Sequence, residues 1–318
     1  MFLQLIRVDT EQIRRRRLLS QHRTAALSPM VIVFNPAAGR RRAQLLWRVL
    51  DVMALNGVKL EIAETHRAGH ATELAREAAV SGVGLVVAAG GDGTIAEVAN
   101  GLAGSPTRLG IIPLGTANVL AHELGLPFAP RAVAAALAFG RTRPVWPGLA
   151  QGADGPRLFV QMLGAGFDAQ VVHRLPTGLK RAFGRLAYAA QSLRELNRYR
   201  FAPISVCIDG NATAAGSVIV SKGHLYGGCY TLAPGASPTT RGFTVALFDR
   251  AGPFAALMYG AALPLGLVPR MPGLRLLRAE EVVISGEHVP AQTDGDPAGE
   301  TPVTVRDAPA PINVVVGG

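Results

Sequence analysis

The chain has 318 residues, 49% hydrophobic and 17% charged, which is too much apolar material for one ordinary core. It therefore suits two packed domains and excludes both a small stapled module and wholesale disorder. Two cysteines, Cys207 and Cys229, exclude a disulfide framework and a cysteine zinc site, and they read as buried small hydrophobes in a reducing, cytoplasmic setting. A net charge of +10 rests on 32 basic residues, of which Lys59, Lys180 and Lys222 are the lysines. No aromatic-flanked basic motif accompanies that charge, so an anionic membrane is the expected partner and nucleic acid is not.

Residues 1–29 begin with an apolar hexapeptide and then carry Arg14 to Arg17, the reverse of the order in a secretory signal. A disordered basic leader is expected there, with contact to anionic lipid as its functional reading. From Val31, β-branched runs alternate with helical stretches: VIVF, a helix near 42–56, VKLEIAET, a helix at 71–79, GLVVAAG, a helix at 95–102, LGIIPLG, then helices at 117–124 and 130–139. Apolar strands between helices predict a parallel sheet covered on both faces, a doubly wound α/β domain over 30–145. Beyond it, prolines and glycines bracket short runs; PISVCIDG, ATAAGSVIVS, FTVALF, EEVVISG and TPVTVRD read as strands, with one helix near 179–199. The second domain, 146–318, is expected to be mostly β. Within it, Phe254 to Leu263 reads as a short helix apolar on nearly every side, which demands burial or contact with lipid. Pro253, Pro264 and Pro269 break the uncharged run 251–269 too often for it to span a bilayer.

Chemistry concentrates at Gly90-Gly91-Asp92-Gly93-Thr94, where a strand ends and a helix begins. Glycines let the backbone approach a ligand closely, and free N–H groups with the helix dipole favour a phosphate. Asp92 would repel a bare phosphate, which argues for a cation or a base function beside it. In a parallel sheet, the turns Asn35-Pro36-Ala37-Ala38-Gly39 and Ile112 to Asn118 open at the same edge, and the three together make one crevice. The chain has no GxxxxGK[ST] loop, so a metal ion or arginine must offset phosphate charge. Gly164 to Ala169, GAGFDA, fits a dinucleotide fingerprint but lacks the acidic residue about 20 positions on, so no such cofactor is read there. Taken alone, Asp294-Gly295-Asp296 reads as a turn.

NPAAG, GGDGT followed by Glu97, and PLGTAN, in this order and spacing, resemble the catalytic domain shared by diacylglycerol kinases, sphingosine kinases and soluble bacterial lipid kinases. GAGFDA, Tyr226-Gly227-Gly228, Leu232-Ala233-Pro234 and Asp294-Gly295-Asp296 extend the resemblance towards the carboxyl end. It implies an amino-terminal nucleotide domain and a carboxyl-terminal β-sandwich, with a cleft between them and the strand at Ile312 to Val316 packed back on the first domain. It also implies ATP and Mg²⁺ as cofactors. Asn35 to Gly39 (Asn35, Pro36, Ala37, Ala38, Gly39) and Gly91, Asp92, Gly93, Thr94 and Glu97 would hold the phosphates. Thr65, Gly115, Thr116 and Asn118 would line the nucleotide site, with the metal near Asp92. Asp294 and Asp296 would be the general base and its neighbour. The implied activity is γ-phosphate transfer to a lipid hydroxyl by a cytoplasmic enzyme peripheral to the membrane. Residues 217–220 and 251–269 would form the acyl pocket, and Arg174, Lys180, Arg181 and Arg185 its membrane-facing rim.

Two departures from the resemblance stand out. Asp296 replaces the usual glutamate, one methylene shorter. Pro238-Thr239-Thr240-Arg241-Gly242 replaces the acidic loop that holds a structural Mg²⁺ in diacylglycerol-kinase relatives, so that ion is not expected. Two other readings share these residues: a metabolite kinase of the NAD-kinase type, which also carries GGDGT, and a non-catalytic, nucleotide-dependent lipid-binding regulator. The sequence names neither the acceptor nor the oligomeric state.

Overall fold

In the computed structural model, residues 30–37, 43–176, 178–179 and 184–317 are described. The expectations for 1–29, Ala38, Gly39, Lys180 and Arg181, and for the side chain of Arg185, lie outside the described residues.

Strand β1 (Met30–Phe34) has no polar position and is buried throughout, as a strand covered on both faces must be. Along it, Val31 and Val33 join one apolar layer while Ile32 and Phe34 join the other, following the two-residue period of a strand. Helix α1 (Ala43–Leu55), strand β2 (Leu60–Glu64), helix α2 (His70–Val80), strand β3 (Leu85–Gly90), helix α3 (Asp92–Leu102) and strand β4 (Arg108–Pro113) follow. The short helix α4 (Val119–Glu123), helix α5 (Pro130–Phe139) and strand β5 (Arg141–Val145) complete this part. β2, β1, β3 and β4 are parallel in that order. α2, α3 and α4 cover one face, and α1 and α5 the other.

The remaining strands, apart from β20 against β4, pair antiparallel. In chain order they are β6 (Gly148–Gly152), β7 (Gly155–Phe159), β8 (Met162–Ala165), β9 (Ile204–Ile208), β10 (Asn211–Ala215), β11 (Ser217–Ser221), β12 (Leu225–Tyr226) and β13 (Tyr230–Thr231). Then come β14 (Phe243–Phe248), β15 (Leu274–Ala279), β16 (Glu281–Ser285), β17 (Pro290–Thr293), β18 (Asp296–Glu300), β19 (Val303–Asp307) and β20 (Ile312–Val316). Two six-stranded sheets, β10-β9-β16-β19-β6-β7 and β15-β14-β11-β8-β17-β18, face one another across a core that includes Phe159, Leu163, Val218, Val245, Val282 and Val305. β20 leaves the sandwich and inserts between β4 and β5, parallel to the first and antiparallel to the second.

Among the described residues, helices α6 (Phe167–Arg174), α7 (Arg185–Glu195) and α8 (Pro253–Ala262) border the sandwich. α8 buries Ala255, Tyr259 and Ala262 but leaves Phe254 79% and Leu257 49% exposed, so its all-round apolar character resolves into one buried and one open face. Among the described residues no helix is long and apolar enough to cross a membrane.

The structure corrects several local expectations. ATAAGSVIVS is two strands in opposite sheets, split at Gly216, whose N–H bonds Phe248 O at 2.7 Å and where a Cβ would meet that of Ala251 at 2.7 Å. α3 starts at Asp92 rather than Ile95, and α4 is confined to Val119–Glu123. Cys229 is exposed and Cys207 half-buried, and neither is in a disulfide.

Candidate active site

β1, β3 and β4 end side by side, and their turns are stitched by main-chain bonds: Asn35 N–H to Ala89 O, Leu114 N–H to Gly90 O and Thr65 N–H to Phe34 O, at 2.9 to 3.1 Å. Two glycines meet here without room for side chains. A Cβ on Gly115 would lie 2.6 Å from Gly91 Cα and 2.8 Å from Asn118 Oδ1. The backbone of one turn therefore lies directly on that of the next. Asn35 binds the same region together, donating from Nδ2 to Thr94 Oγ1 at 3.0 Å and accepting the Ala37 N–H at 3.0 Å. Thr65, Pro36, Gly93 and Thr116 line the cleft around these turns.

Asp92 does more than sit at the head of α3. Its Oδ1 accepts the Val119 N–H at 2.6 Å, capping α4 from a different element. Burial raises its carboxyl above the usual range, and the N–H groups of Val119, Asn118 and Leu120 oppose that rise. Asn118 is buried in a left-handed conformation (φ 48°) and donates to Gly115 O at 2.8 Å, so it holds the turn from beneath. Glu97 lines the cleft but accepts the Ala71 N–H at 3.1 Å, at the start of α2. That bond ties the carboxylate to the head of α2.

Opposite these turns stands the β17–β18 hairpin. Thr293 pairs with Asp296, leaving Asp294 and Gly295 as a two-residue turn with φ of 50° and 82°, the type I′ geometry for which Asp-Gly is suited. The two aspartates have unlike surroundings. Asp294 accepts three backbone N–H groups, from Val160 (2.8 Å), Gln161 (2.8 Å) and Met162 (3.0 Å). Desolvation nevertheless lifts its carboxyl to about 6, with the nearby Asp92 charge adding to the rise. Asp296 instead leans on the first turn of α3: a Cβ on Gly93 would fall 3.0 Å from its Oδ2. Tyr188 from α7 donates to Gly295 O at 3.3 Å, and Gln292 accepts the Gly295 N–H at 2.7 Å.

One cleft of about 2520 Å³ runs past all of these groups. At one end it holds the glycine turns with Arg67, Arg76 and Arg157; at the other it is walled by Ile219, Leu232, Leu257, Leu263 and Val268. Of residues 217–220, Ser217 and Ile219 face the cleft, while Val218 and Val220 point into the sandwich core. Arg174 is exposed at the end of α6. Glu123 reaches across from α4 to His224 Nδ1 (2.6 Å) and the Leu225 N–H (2.5 Å), tying the two halves together. Sequence reasoning missed Tyr188, Gln292 and the three arginines as individuals. The absent P-loop lysine was the signal for the arginines.

Among the described residues no three His, Cys, Asp or Glu side chains gather as a metal cage. Mg²⁺ that arrives on nucleotide phosphates keeps several waters and needs only one or two carboxylates, and Asp92, in the cleft between Gly91 and Gly93, suits that role. The structural ion is a different matter. At the loop before β14, fully buried Lys222 Nζ contacts Asp307 Oδ1 (2.7 Å), Gly242 O (2.9 Å) and Thr240 O (3.1 Å). An ammonium thus takes the oxygens that a cation would need, and the residues present do not fit a metal there.

Residues 29–149 match the diacylglycerol kinase catalytic domain, and residues 161–316 match the YegS C-terminal NAD kinase beta sandwich-like domain. A diacylglycerol kinase of Bacillus subtilis is 33% identical over 226 residues, covering 69% of this chain and 73% of that one. A probable lipid kinase, YegS-like, of Xanthomonas euvesicatoria is 33% identical over 202 residues, covering 60% and 64%. The crystal structure of a putative diacylglycerol kinase from Bacillus anthracis shares the fold at 22% identity, with a TM-score of 0.72 over 92% of this chain and 99% of that one.

Proposed function

The chain belongs to the family of diacylglycerol kinases and YegS-like lipid kinases, and from that premise we propose that it transfers the γ-phosphate of ATP to a lipid hydroxyl. The observation that carries this reading is the position of Asp296. It stands against the head of α3, in a cleft with phosphate-suited turns on one side and an apolar chamber on the other.

In this reading Asp296 is the base and Asp294 positions it. Both oxygens of Asp294 are engaged by backbone N–H groups, which pins the turn and leaves proton transfer to its neighbour. The acceptor hydroxyl gives its proton to the Asp296 carboxylate as its oxygen bonds to the γ-phosphorus, and the bond from that phosphorus to the β-phosphate oxygen breaks to release ADP. The N–H groups of the first turn of α3, left without intrahelical partners, and the cleft arginines stabilise the phosphates. Mg²⁺ held at Asp92 would supply further charge neutralisation. The close approach of its Oδ2 to the Gly93 position supports a working role for the shorter aspartate at the head of α3. Phe254, Leu257, Leu265 and Leu267 are exposed to between 45% and 79%, and they support docking of the chamber's rim on an anionic membrane surface by a cytoplasmic, peripheral enzyme.

The test is transfer of labelled γ-phosphate from ATP to a total lipid extract by the natural protein and Asp296→Asn. A labelled lipid that depends on Asp296 is expected. Nucleotide binding without any labelled lipid would overturn the reading in favour of a non-catalytic regulator. Label on NAD instead of lipid would turn it into a metabolite kinase.

A further inference from the structure

The transfer reaction described above makes no use of Asp168, in the first turn of α6. This residue lines the cleft, and its place there is fixed from two directions. Tyr226 donates its hydroxyl to Oδ1, while the Tyr226 ring packs against the apolar cluster of Met162, Ile219, Leu232 and Val268. Buried Gln292 donates from Nε2 to Oδ2 at 2.9 Å and accepts the Gly295 N–H through its own oxygen. Glycine at position 164 makes space for that bond, since a Cβ there would lie 2.7 Å from Asp168 Oδ2 and 2.8 Å from Gln292 Nε2.

Asp168 therefore stands at the seam of the cleft. One partner belongs to the apolar wall, and the other is a single amide group away from the turn that carries Asp296. A carboxylate offers about four lone-pair sites, of which Tyr226 and Gln292 take two. When an acyl chain fills the chamber and displaces water, a carboxylate left short of donors is costly. A headgroup that brings a donor removes that cost, and one that lacks it does not.

We propose that Asp168 accepts a second hydrogen-bond donor from the acceptor headgroup, so that the enzyme prefers lipids with a hydroxyl or an ammonium next to the hydroxyl that is phosphorylated. The proposal rests on the lipid-kinase reading and adds the class of acceptor to it. Asp168 acts as a specificity residue and takes no proton in the transfer.

The experiment compares three acceptors in detergent micelles: a diacylglycerol, with one hydroxyl; a phosphatidylglycerol, with two adjacent hydroxyls; and a sphingoid base, with hydroxyls and an ammonium. kcat/KM is measured for each with the natural protein, Asp168→Asn and Asp168→Glu, and binding of each lipid is measured by calorimetry without ATP. The natural protein is expected to favour a two-donor lipid over the diacylglycerol by about tenfold or more, the size of one hydrogen bond to a charged group. The ratio collapses in Asp168→Asn and returns in part in Asp168→Glu. Whether the phosphatidylglycerol or the sphingoid base holds the advantage identifies the donor as hydroxyl or ammonium. No preference in the natural protein overturns the proposal without needing any variant. An Asp168→Asn protein that slows equally on all three lipids also overturns it, because a purely positioning role through Gln292 would do that. Should no lipid be phosphorylated, the kinase reading fails separately and the calorimetry decides: tighter two-donor binding that depends on Asp168 upholds the preference, and equal binding ends it.

Discussion

The two ends of the cleft are built by different means. The end proposed for nucleotide is made from main chain: glycines in contact, N–H groups at helix starts, and a few polar side chains that lock one turn to the next. The apolar end is made from side chains drawn from β8, β11, α8 and the segments around Leu232, Leu263 and Val268, with no local signature. Backbone sites tolerate little change because nothing can move aside, whereas a wall of side chains can be repacked to suit another acyl chain. In the proposed reading, phosphate chemistry thus sits on the rigid end and fit to the acyl chain on the adaptable one.

The largest expected effect lies where the two ends meet. Asp296→Asn should lower kcat by about 10²- to 10⁴-fold with little change in the KM for ATP, as steady-state kinetics would show. A stable Asp294→Asn protein with the greater loss would reverse the two roles. Next, Lys222→Met would leave the Asp307 carboxylate without its ammonium beneath the sheet, a cost of about 3–5 kcal/mol in denaturant unfolding. Chelators should leave the natural protein's unfolding midpoint where it is.

A pH series probes Asp294. Its folded value of about 6 lies above the ordinary 3.8, so the folded state holds the proton more tightly. The stability it contributes is complete below about pH 4 and is lost as pH rises through 6, amounting to roughly 3 kcal/mol. Asp294→Asn should flatten that slope in midpoints measured from pH 4 to 7. Gly115→Ala would push a Cβ against Gly91 Cα, costing about 1–3 kcal/mol and raising the KM for ATP. The mildest change is expected at the rim, where Phe254→Asp should weaken vesicle sedimentation by about tenfold, the lower end of the transfer energy of one aromatic side chain. Its activity on vesicles should fall further than its activity on short-chain micellar lipid.

That contrast also decides what could be read from the amino-acid sequence. The parallel sheet follows from apolar runs such as Val31 to Phe34, and the three turns follow from glycines and small residues close together in the chain. α3 starts three residues before its apolar pattern does, because Asp92-Gly93-Thr94 is a weak helix former alone and its helical state is supported by the Val119 N–H, 27 residues away. The unlike environments of Asp294 and Asp296 depend on donors at 160–162, more than 130 residues before them. No spacing rule reaches that far. The seam of Tyr226, Asp168 and Gln292 and the Lys222 site are hidden for the same reason, each joining distant segments through side chains.

β20 gives the fold an order in time. Because it lies between β4 and β5, the nucleotide sheet stays split while the ribosome is still making the sandwich, and it closes once residues 312–316 have emerged. Pairing Val314 with Leu109 closes a loop of more than two hundred residues, a slow event compared with helix formation. The turns after β1, β3 and β4 contact one another without β20, so the edge beyond β4, with β5, is the last part of this sheet to be completed.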